Sequence, residues 1–394
     1  MGSLAQIDVV NKMESLRVNF IMGHTFRTGG NRAILNFANR LSKRGHEVTI
    51  VTGAHSNWFE LRDSVSVKTL SLTRFVSHLY SQKWLGFSLP SELAYLVRLG
   101  TLLPPSDVNV ATFSTTGYSA TLSTCRSATL HHMQHIETIF SKDPVERNLI
   151  RSAYFLPGYR IANSTWLAER FQEMTGKRVP VLNNAIEREK FYPRMVNCHP
   201  SDEVRVVALS KPGFKNVDLI VSCIRALRKE FVGKKKIYLH LFGRKGGYFP
   251  RREEWIIRHT NLSDDQLAEL YSNSDIEVTA STAESFPLPP LEAMACKTAV
   301  ITTPYGTEDY AIDGESALVV PPENPSALKS ALRRLLGDDD LRRQLALNGL
   351  KKSLEFDYLV QTNKYEDYLR EAIYENTRSE TCLLEKMRPY GIRI

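Results

Sequence analysis

Cysteine is sparse in this 394-residue chain: there are five, at 125, 198, 223, 296 and 382, and none forms a Cys-x-x-Cys pair. That argues against a disulfide framework and a structural zinc site, and fits a reducing compartment. No apolar run approaches the roughly 18 residues needed to cross a bilayer. The first twenty residues carry Asp8, Lys12, Glu14 and Arg17 without an apolar core between them, which predicts no secretory signal. A cytoplasmic protein is expected. The Gly-x-Gly-x-x-Gly fingerprint of a dinucleotide-binding dehydrogenase is missing as well; the first glycine loop reads Gly23-His-Thr-Phe-Arg-Thr-Gly29-Gly30. No Asp-x-Asp stands at a strand end to hold a metal. Asp338-Asp339-Asp340 falls between helical patterns and reads as a helix cap.

What is present is an ordinary globular composition, 42% hydrophobic and 24% charged, at a length that points to two domains. The net charge of +8 is lopsided. Residues 1–190 hold 22 Lys+Arg against 14 Asp+Glu, and the remaining 29 and 29 cancel. The basic excess of the first half suits solubility or an anionic surface such as phospholipid. No basic run or motif points to nucleic acid.

Apolar runs and helical periodicities alternate along the chain. Leu16–Met22 and Glu47–Val51 read as strands on either side of a helix that Gly45 ends. Val65–Leu70, Val108–Phe113, Ala128–Met133, Tyr159–Ala162 and Val179–Leu182 are further strand candidates. A second series follows: strands at Arg205–Leu209, Lys236–Phe242, Ile276–Thr279 and Ala299–Thr302 alternate with helices at Val217–Phe231, Asp264–Ser272 and Leu288–Cys296. Helices at Ser326–Leu336, Leu341–Tyr358 and near Asn363–Tyr374 close the chain. Two successive α/β halves predict two Rossmann-like domains facing across a cleft, with ligands beyond the carboxyl ends of the strands.

The most informative segment is Glu284-Ser-Phe-Pro-Leu-Pro-Pro-Leu-Glu292, two carboxylates with seven residues between them. The first is expected in a loop after a strand and the second inside the next helix. Such a junction aims backbone N–H groups and a positive dipole end at an anion, and a carboxylate there can hold sugar or ribose hydroxyls. The stretch Asn261–Pro325 as a whole, with Ala299-Val-Ile-Thr-Thr-Pro-Tyr-Gly306 and Ile312-Asp-Gly314, resembles glycosyltransferase family 4 (group 1). Gly29-Gly30-Asn31-Arg32 and Val181–Pro193 resemble that family's first-half segments, so the likeness is collinear over nearly the whole chain.

The resemblance implies a retaining GT-B glycosyltransferase. It implies an acceptor-side domain at 1–193, a nucleotide-sugar domain at 194–358, and a C-terminal helix and tail at 359–394 returning to the first. Glu284 would contact the donor sugar, Glu292 the ribose, and the backbone of Ser285, Phe286, Pro287 and Leu288 the sugar and diphosphate. Gly29 and Gly30 would let backbone approach the diphosphate. Lys215 matches the family's lysine on that diphosphate. The arginine position holds Ser210 beside Lys211, and Arg244 is a spare cation. Pro287 replaces a usual glycine and removes an N–H. One histidine after the strand at Ala128 would line the catalytic centre. His131 and His135 are the candidates, and because His131 and His132 point to opposite strand faces a three-histidine metal site is disfavoured. No metal and no cofactor is expected.

The donor would be UDP- or GDP-linked, and the acceptor a glycan, a lipid-linked sugar or a small molecule. Between Asp63 and Glu92 there is no acidic residue. Arg74, Phe75, His78, Tyr80, Lys83, Trp84 and Phe87 interleave basic and aromatic side chains there, and Arg147 and Arg151 add a stripe. That pattern suits a peripheral contact with an anionic membrane, on its inner face. A nucleotide-sugar 2-epimerase and a catalytically inactive nucleotide-sugar-binding partner of another transferase share the architecture and stay open as alternatives.

Overall fold

The structure is a computed structural model and describes residues 14–70, 89–123, 125–195 and 200–387. The basic and aromatic residues from Arg74 to Phe87 lie outside the described residues. Of those described, one compact unit takes residues up to His132, Glu137–Arg160 and Tyr365 onward; the other takes Met133–Ile136 and Ile161–Lys364. The expected boundary at 193/194 lies inside the second unit.

The first sheet contains β1 (Arg17–Met22), β2 (Glu47–Thr52), β3 (Val65–Thr69), β4 (Val108–Ala111), β5 (Ala128–Met133) and β6 (Tyr159–Ala162), in the order β3-β2-β1-β4-β5-β6. The registers of its pairs are parallel. Its helices are α1 (Gly29–Lys43), α2 (Leu89–Thr101), α3 (Thr116–Thr121) and α4 (Pro144–Ala153). The Thr28 hydroxyl caps α1 by accepting from the Asn31 N–H at 3.1 Å. Asp143 caps α4, with Pro144 at its first position.

The second unit opens with α5 (Thr165–Thr175), capped by Ser164 and ended by Gly176 in the left-handed region. Its sheet follows: β7 (Glu203–Leu209), β8 (Lys236–Gly243), β9 (Ile256–Thr260), β10 (Ile276–Val278), β11 (Ala299–Thr302) and β12 (Leu318–Val319), ordered β12-β11-β10-β7-β8-β9. The first strand pairs both with the second and, after two more have been laid down, with the fourth, so each sheet has the doubly wound topology with a switch point beside its first strand. Helices α6 (Val217–Glu230), α7 (Asp264–Ser272), α8 (Leu288–Ala295), α9 (Pro325–Gly337) and α10 (Asp339–Ser353) cover this sheet. Within β7, Val204, Val206 and Ala208 pack with α6, α9 and α10, while Val207, on the other face, packs with α7 and α8. Apolar burial on both faces is what a central parallel sheet requires.

The last helix, α11 (Tyr358–Met387), joins the first unit from Tyr365 onward. Within that unit, Glu366 accepts from Arg44 at 2.6 Å and meets His46 Nε2 at 2.8 Å, while the Tyr365 ring packs edge-on against Phe37.

Two expectations are corrected, and one strand is added. Val179–Leu182 forms an isolated bridge between Val181 and Ala162 and no strand. Pro180 has no N–H to extend the ladder, although its carbonyl accepts from the Ala162 N–H at 3.0 Å. The helix expected over Leu341–Tyr358 ends at Ser353, followed by a one-turn 3-10 segment and Asp357 in extended backbone. The Asp357 carboxylate then accepts from the Leu359 N–H at 2.7 Å and starts α11. Strand β9, absent from the sequence reading, is an edge strand with Ile257 and Arg258 exposed.

Candidate active site

β7 and β10 lie side by side, so the loops that leave their carboxyl ends open at the switch point of the second sheet. The first loop runs from Ser210 to Lys215 and the second from Thr279 to Glu284. A single 3-10 turn, Gly213–Lys215, begins on Gly213 (φ 73°) and is followed by Asn216 (φ 50°), from which α6 starts. The Thr282 N–H donates to the Phe214 carbonyl at 2.8 Å and ties the loops together. Lys215 then forms an ion pair with Glu284 Oε1, and the Ser281 hydroxyl donates to the same oxygen at 3.0 Å. The Lys215 and Glu284 side chains are only 11% and 14% exposed.

Further cations gather at this end. The Lys211 ammonium lies 5.2 Å from the Phe214 ring centroid and that of Lys215 5.5 Å from it. Burial lowers the Lys211 pKa, Lys215 and Arg244 lower it further, and Glu284 opposes them. Lys215 and Arg244 are thus both within electrostatic reach of Lys211 at the exits of β7 and β8, an arrangement suited to a polyanion. Ser210 adds no charge, since its buried hydroxyl donates to the Tyr248 carbonyl at 2.6 Å. Asn216, the N-cap residue of α6, makes no side-chain cap, and its Nδ2 is buried without a hydrogen-bond partner among the described residues.

His135 belongs to the same unit and to the same electrostatic group. Burial lowers its pKa, Glu284 raises it and Lys215 lowers it, so a neutral imidazole is favoured near neutral pH. Its ring packs edge-on to Trp166 at 6.1 Å. The other two histidines sit in the first unit. His131 Nε2 donates to the Pro157 carbonyl at 3.0 Å, and the ring lies where a side chain on Gly117 or Gly158 would stand. His132 Nδ1 meets the Tyr365 hydroxyl at 2.9 Å. Within the second unit the structure therefore gathers His135, Lys211, Lys215, Arg244 and Glu284, while His131 belongs to the first unit.

The segment after Glu284 is held from behind. The Ser285 hydroxyl donates to Asn163 Oδ1 at 2.5 Å, Phe286 packs edge-on against Tyr310 at 5.3 Å, and the Pro287 carbonyl accepts from the Tyr310 hydroxyl at 2.7 Å. Gly306 (φ 67°) approaches so closely that a Cβ there would lie 2.1 Å from the Ser285 carbonyl oxygen. Ser285, Phe286 and Leu288 are buried, which leaves their backbone as what they can offer a ligand. Pro287, Pro289 and Pro290 carry no N–H, so α8 begins with few donors. Glu292, inside α8, is 4% exposed. Gly29 and Gly30 open α1 in the first unit, and a Cβ on Gly29 would meet nothing within 4 Å. No contact among the described residues fixes glycine at that position.

Sequence reasoning missed Asn163, Glu277, Ser281 and Asp309, and named Gly306 only as part of the stretch that resembles the family's turn. Asp309 Oδ2 accepts from the Thr165 N–H at 3.0 Å and from Asn183 Nδ2 at 2.9 Å, tying the start of α5 to the turn after β11. The one readable signal was Glu277, an acid between Ile276 and Val278 in an otherwise apolar strand. Among the described residues no group of three or more His, Cys, Asp or Glu side chains is placed to hold a metal.

Comparison with known proteins places these features. The model for glycosyl transferases group 1 matches residues 208–352, and that for Glycosyltransferase Family 4 matches residues 27–190. Each model covers less than half of the chain; the two together, one over each part of it, support a glycosyltransferase. An uncharacterized glycosyltransferase of Methanocaldococcus jannaschii is 25% identical over 57% of this chain and 64% of its own. An α-1,4-N-acetyl-D-galactosaminyltransferase of Campylobacter jejuni is 22% identical over 87% of this chain and 95% of its own. Other curated relatives are matched over far less of their length, 25% for a Mycolicibacterium hassiacum mannosyltransferase. Among solved structures, sucrose-phosphate synthase from Thermosynechococcus elongatus superposes with a TM-score of 0.72 at 17% identity, over 92% of this chain and 100% of the other. HepE of Anabaena, solved in complex with UDP-glucose, gives a TM-score of 0.66 at 14% identity, over 90% of this chain and 100% of the other. At such identities the likeness is one of fold.

Proposed function

We propose that the protein transfers a glycosyl group from a nucleoside diphosphate sugar to a hydroxyl of a glycan, lipid-linked or small-molecule acceptor, with retention at the anomeric carbon. The observation that carries this reading is the buried Lys215–Glu284 pair at the switch point of the second sheet, with Lys211, Arg244 and His135 in its field. UDP and GDP are the favoured carriers. HepE's complex with UDP-glucose, on a similar fold, supports a donor of this class.

In the reaction the bond from the anomeric carbon to the diphosphate oxygen breaks, and a bond from that carbon to the acceptor oxygen forms on the same face. The departing diphosphate accepts the acceptor's proton. Negative charge grows on the diphosphate as the bond breaks, and Lys215, Lys211 and Arg244 would stabilise it. Glu284 would accept from sugar hydroxyls and fix the ring, while Glu292 would hold the ribose. Neutral His135 would hydrogen-bond beside the reacting carbon without adding a cation there.

We also propose that the first unit meets an anionic membrane surface. Its exposed Phe113, Ile139, Phe140 and Phe155, with the basic excess of the first half, support this. No described helix is long and apolar enough to cross a membrane. Co-sedimentation with vesicles should then rise with anionic lipid content; no dependence would remove the membrane proposal alone.

The test of transfer is release of nucleoside diphosphate from a panel of UDP-, GDP-, ADP- and dTDP-sugars with glycan and lipid-linked acceptors. Wild type should turn over one carrier class, and Glu284→Gln should lose about 100-fold or more. The anomeric configuration of the product, read by NMR, decides retention. Failure to consume any donor would overturn the reading.

A further inference from the structure

Glu277 occupies the middle of β10, opposite Val207 on one side and Val300 on the other. Ile276 and Val278 point into the apolar core under α6 and α9, so Glu277 points to the opposite face, among the residues packed by α7 and α8. It is completely buried. A carboxylate there costs several kcal/mol unless its charge is matched. An apolar residue would fill the position without that cost.

Its surroundings are few and specific. Oε1 accepts from the Thr279 hydroxyl at 2.7 Å. Oε2 is buried with no hydrogen-bond partner among the described residues. The charged groups acting on it are Lys215, from the loop after β7, and Glu292, from α8. The Tyr310 hydroxyl, from the turn after β11, lies in its field too, and already donates to the Pro287 carbonyl. Glu277 is therefore within electrostatic reach of both the lysine proposed for the diphosphate and the carboxylate proposed for the ribose.

We infer that Glu277 is a positioning residue of the donor end: its wholly buried carboxyl, with Oε1 on the Thr279 hydroxyl and Oε2 without a hydrogen-bond partner among the described residues, touches no ligand but keeps Lys215 and Glu292 in their working state. Uncharged, it leaves Lys215 to Glu284 and to an incoming diphosphate. Ionised, it would draw on Lys215 and set a second negative charge beside Glu292, against an anionic ligand. Burial pushes its pKa up to about 8, and Glu292 adds to the rise while Thr279 and Lys215 oppose it. The uncharged form thus dominates at neutral pH and is lost on the alkaline side.

The inference rests on the donor-site reading above, and the experiment separates the two. Affinity for UDP and for GDP is measured by calorimetry from pH 6.5 to 9 on wild type, Glu277→Gln and Glu277→Leu. Wild type should lose about fivefold or more of its affinity between pH 7 and pH 9. Glu277→Gln, which stays uncharged, should bind as wild type does at pH 7 and lose less than twofold by pH 9. Glu277→Leu should share the flat profile from a weaker start. An alkaline loss in Glu277→Gln equal to that of wild type, or no loss in wild type, overturns the inference while donor binding stands. Absence of nucleotide binding by wild type at every pH overturns the donor-site reading and the inference with it. If Glu277→Leu does not fold, the glutamine profile alone decides.

Discussion

Lys215 Nζ and Glu284 Oε1, 69 positions apart in sequence, form an ion pair that joins the exits of two neighbouring parallel strands. Neither side chain is well solvated, so each is the other's main charge compensation until a ligand enters. A buried pair of this kind is sensitive to loss of one partner and tolerant of loss of both.

Lys215→Ala should therefore lower the unfolding free energy by about 3 kcal/mol, because Glu284 is left largely buried without its ion-pair partner. The double variant Lys215→Met, Glu284→Gln should recover most of that stability. Both should lose at least tenfold in affinity for the nucleoside diphosphate that wild type binds. Urea unfolding and calorimetry on the same preparations check the two halves of this expectation. Equal stability of the single and double variants would argue against the pair's burial.

Gly306 supports the donor segment through backbone contact. An alanine there places a Cβ 2.1 Å from the Ser285 carbonyl oxygen at a φ of 67°, where a side chain is already strained. Gly306→Ala should lower stability by about 2 kcal/mol and weaken nucleotide binding as the Ser285–Leu288 backbone shifts. Thermal unfolding with and without nucleotide reads both effects.

The histidines should separate by phenotype. His135→Ala should lower turnover about 100-fold with little change in melting temperature. His131→Ala should lower the melting temperature and leave turnover per folded molecule largely intact, since its ring fills the space between Gly117 and Gly158. Turnover normalised to folded protein, beside a melting curve, distinguishes them.

Stability should fall on both sides of a mid-acid optimum. Burial pushes the Glu137 and Glu277 carboxyls up to about 8 from an ordinary value of 4.5. Between those values the native state keeps protons that the unfolded chain has released, so their contribution is present below about pH 4.5 and is lost as pH rises through 8. Burial lowers His131 to about 4 and His132 to about 3 from 6.5. There the unfolded chain binds the protons, and stability is lost as pH falls below 6.5. Glu137→Gln should raise the melting temperature at pH 8 by a few degrees relative to wild type and change it less at pH 5. A pH series of melting curves checks the sign.

Much of this was legible in residue order. The runs at β1 and β7 and the periodicities of α1 and α6 carry their own signals, because apolar residues there recur at the spacing of the element they form. Edge strand β9 was not legible: with one face in water, its Ile-Ile-Arg-His-Thr sequence has no clean alternation. Glu284 and Glu292 stood out as two carboxylates with seven residues between them at an expected loop–helix junction, and Lys215 through the resemblance to family 4. That His135 lies in the field of Glu284 is a relationship between distant segments that local sequence does not encode. Glu277 was missed because a strand pattern read for apolar residues discounts a lone acid.

The most direct test of the account is a thermal-shift panel with UDP, GDP, ADP and dTDP on wild type and Glu292→Ala. A ligand that binds only the native state stabilises it by about 2.7 kcal/mol at a hundredfold excess over its dissociation constant. The account predicts that one nucleoside diphosphate raises the wild-type melting temperature and that Glu292→Ala loses most of the response. A panel in which no nucleoside diphosphate stabilises the wild type, or in which Glu292→Ala responds as strongly, would contradict it.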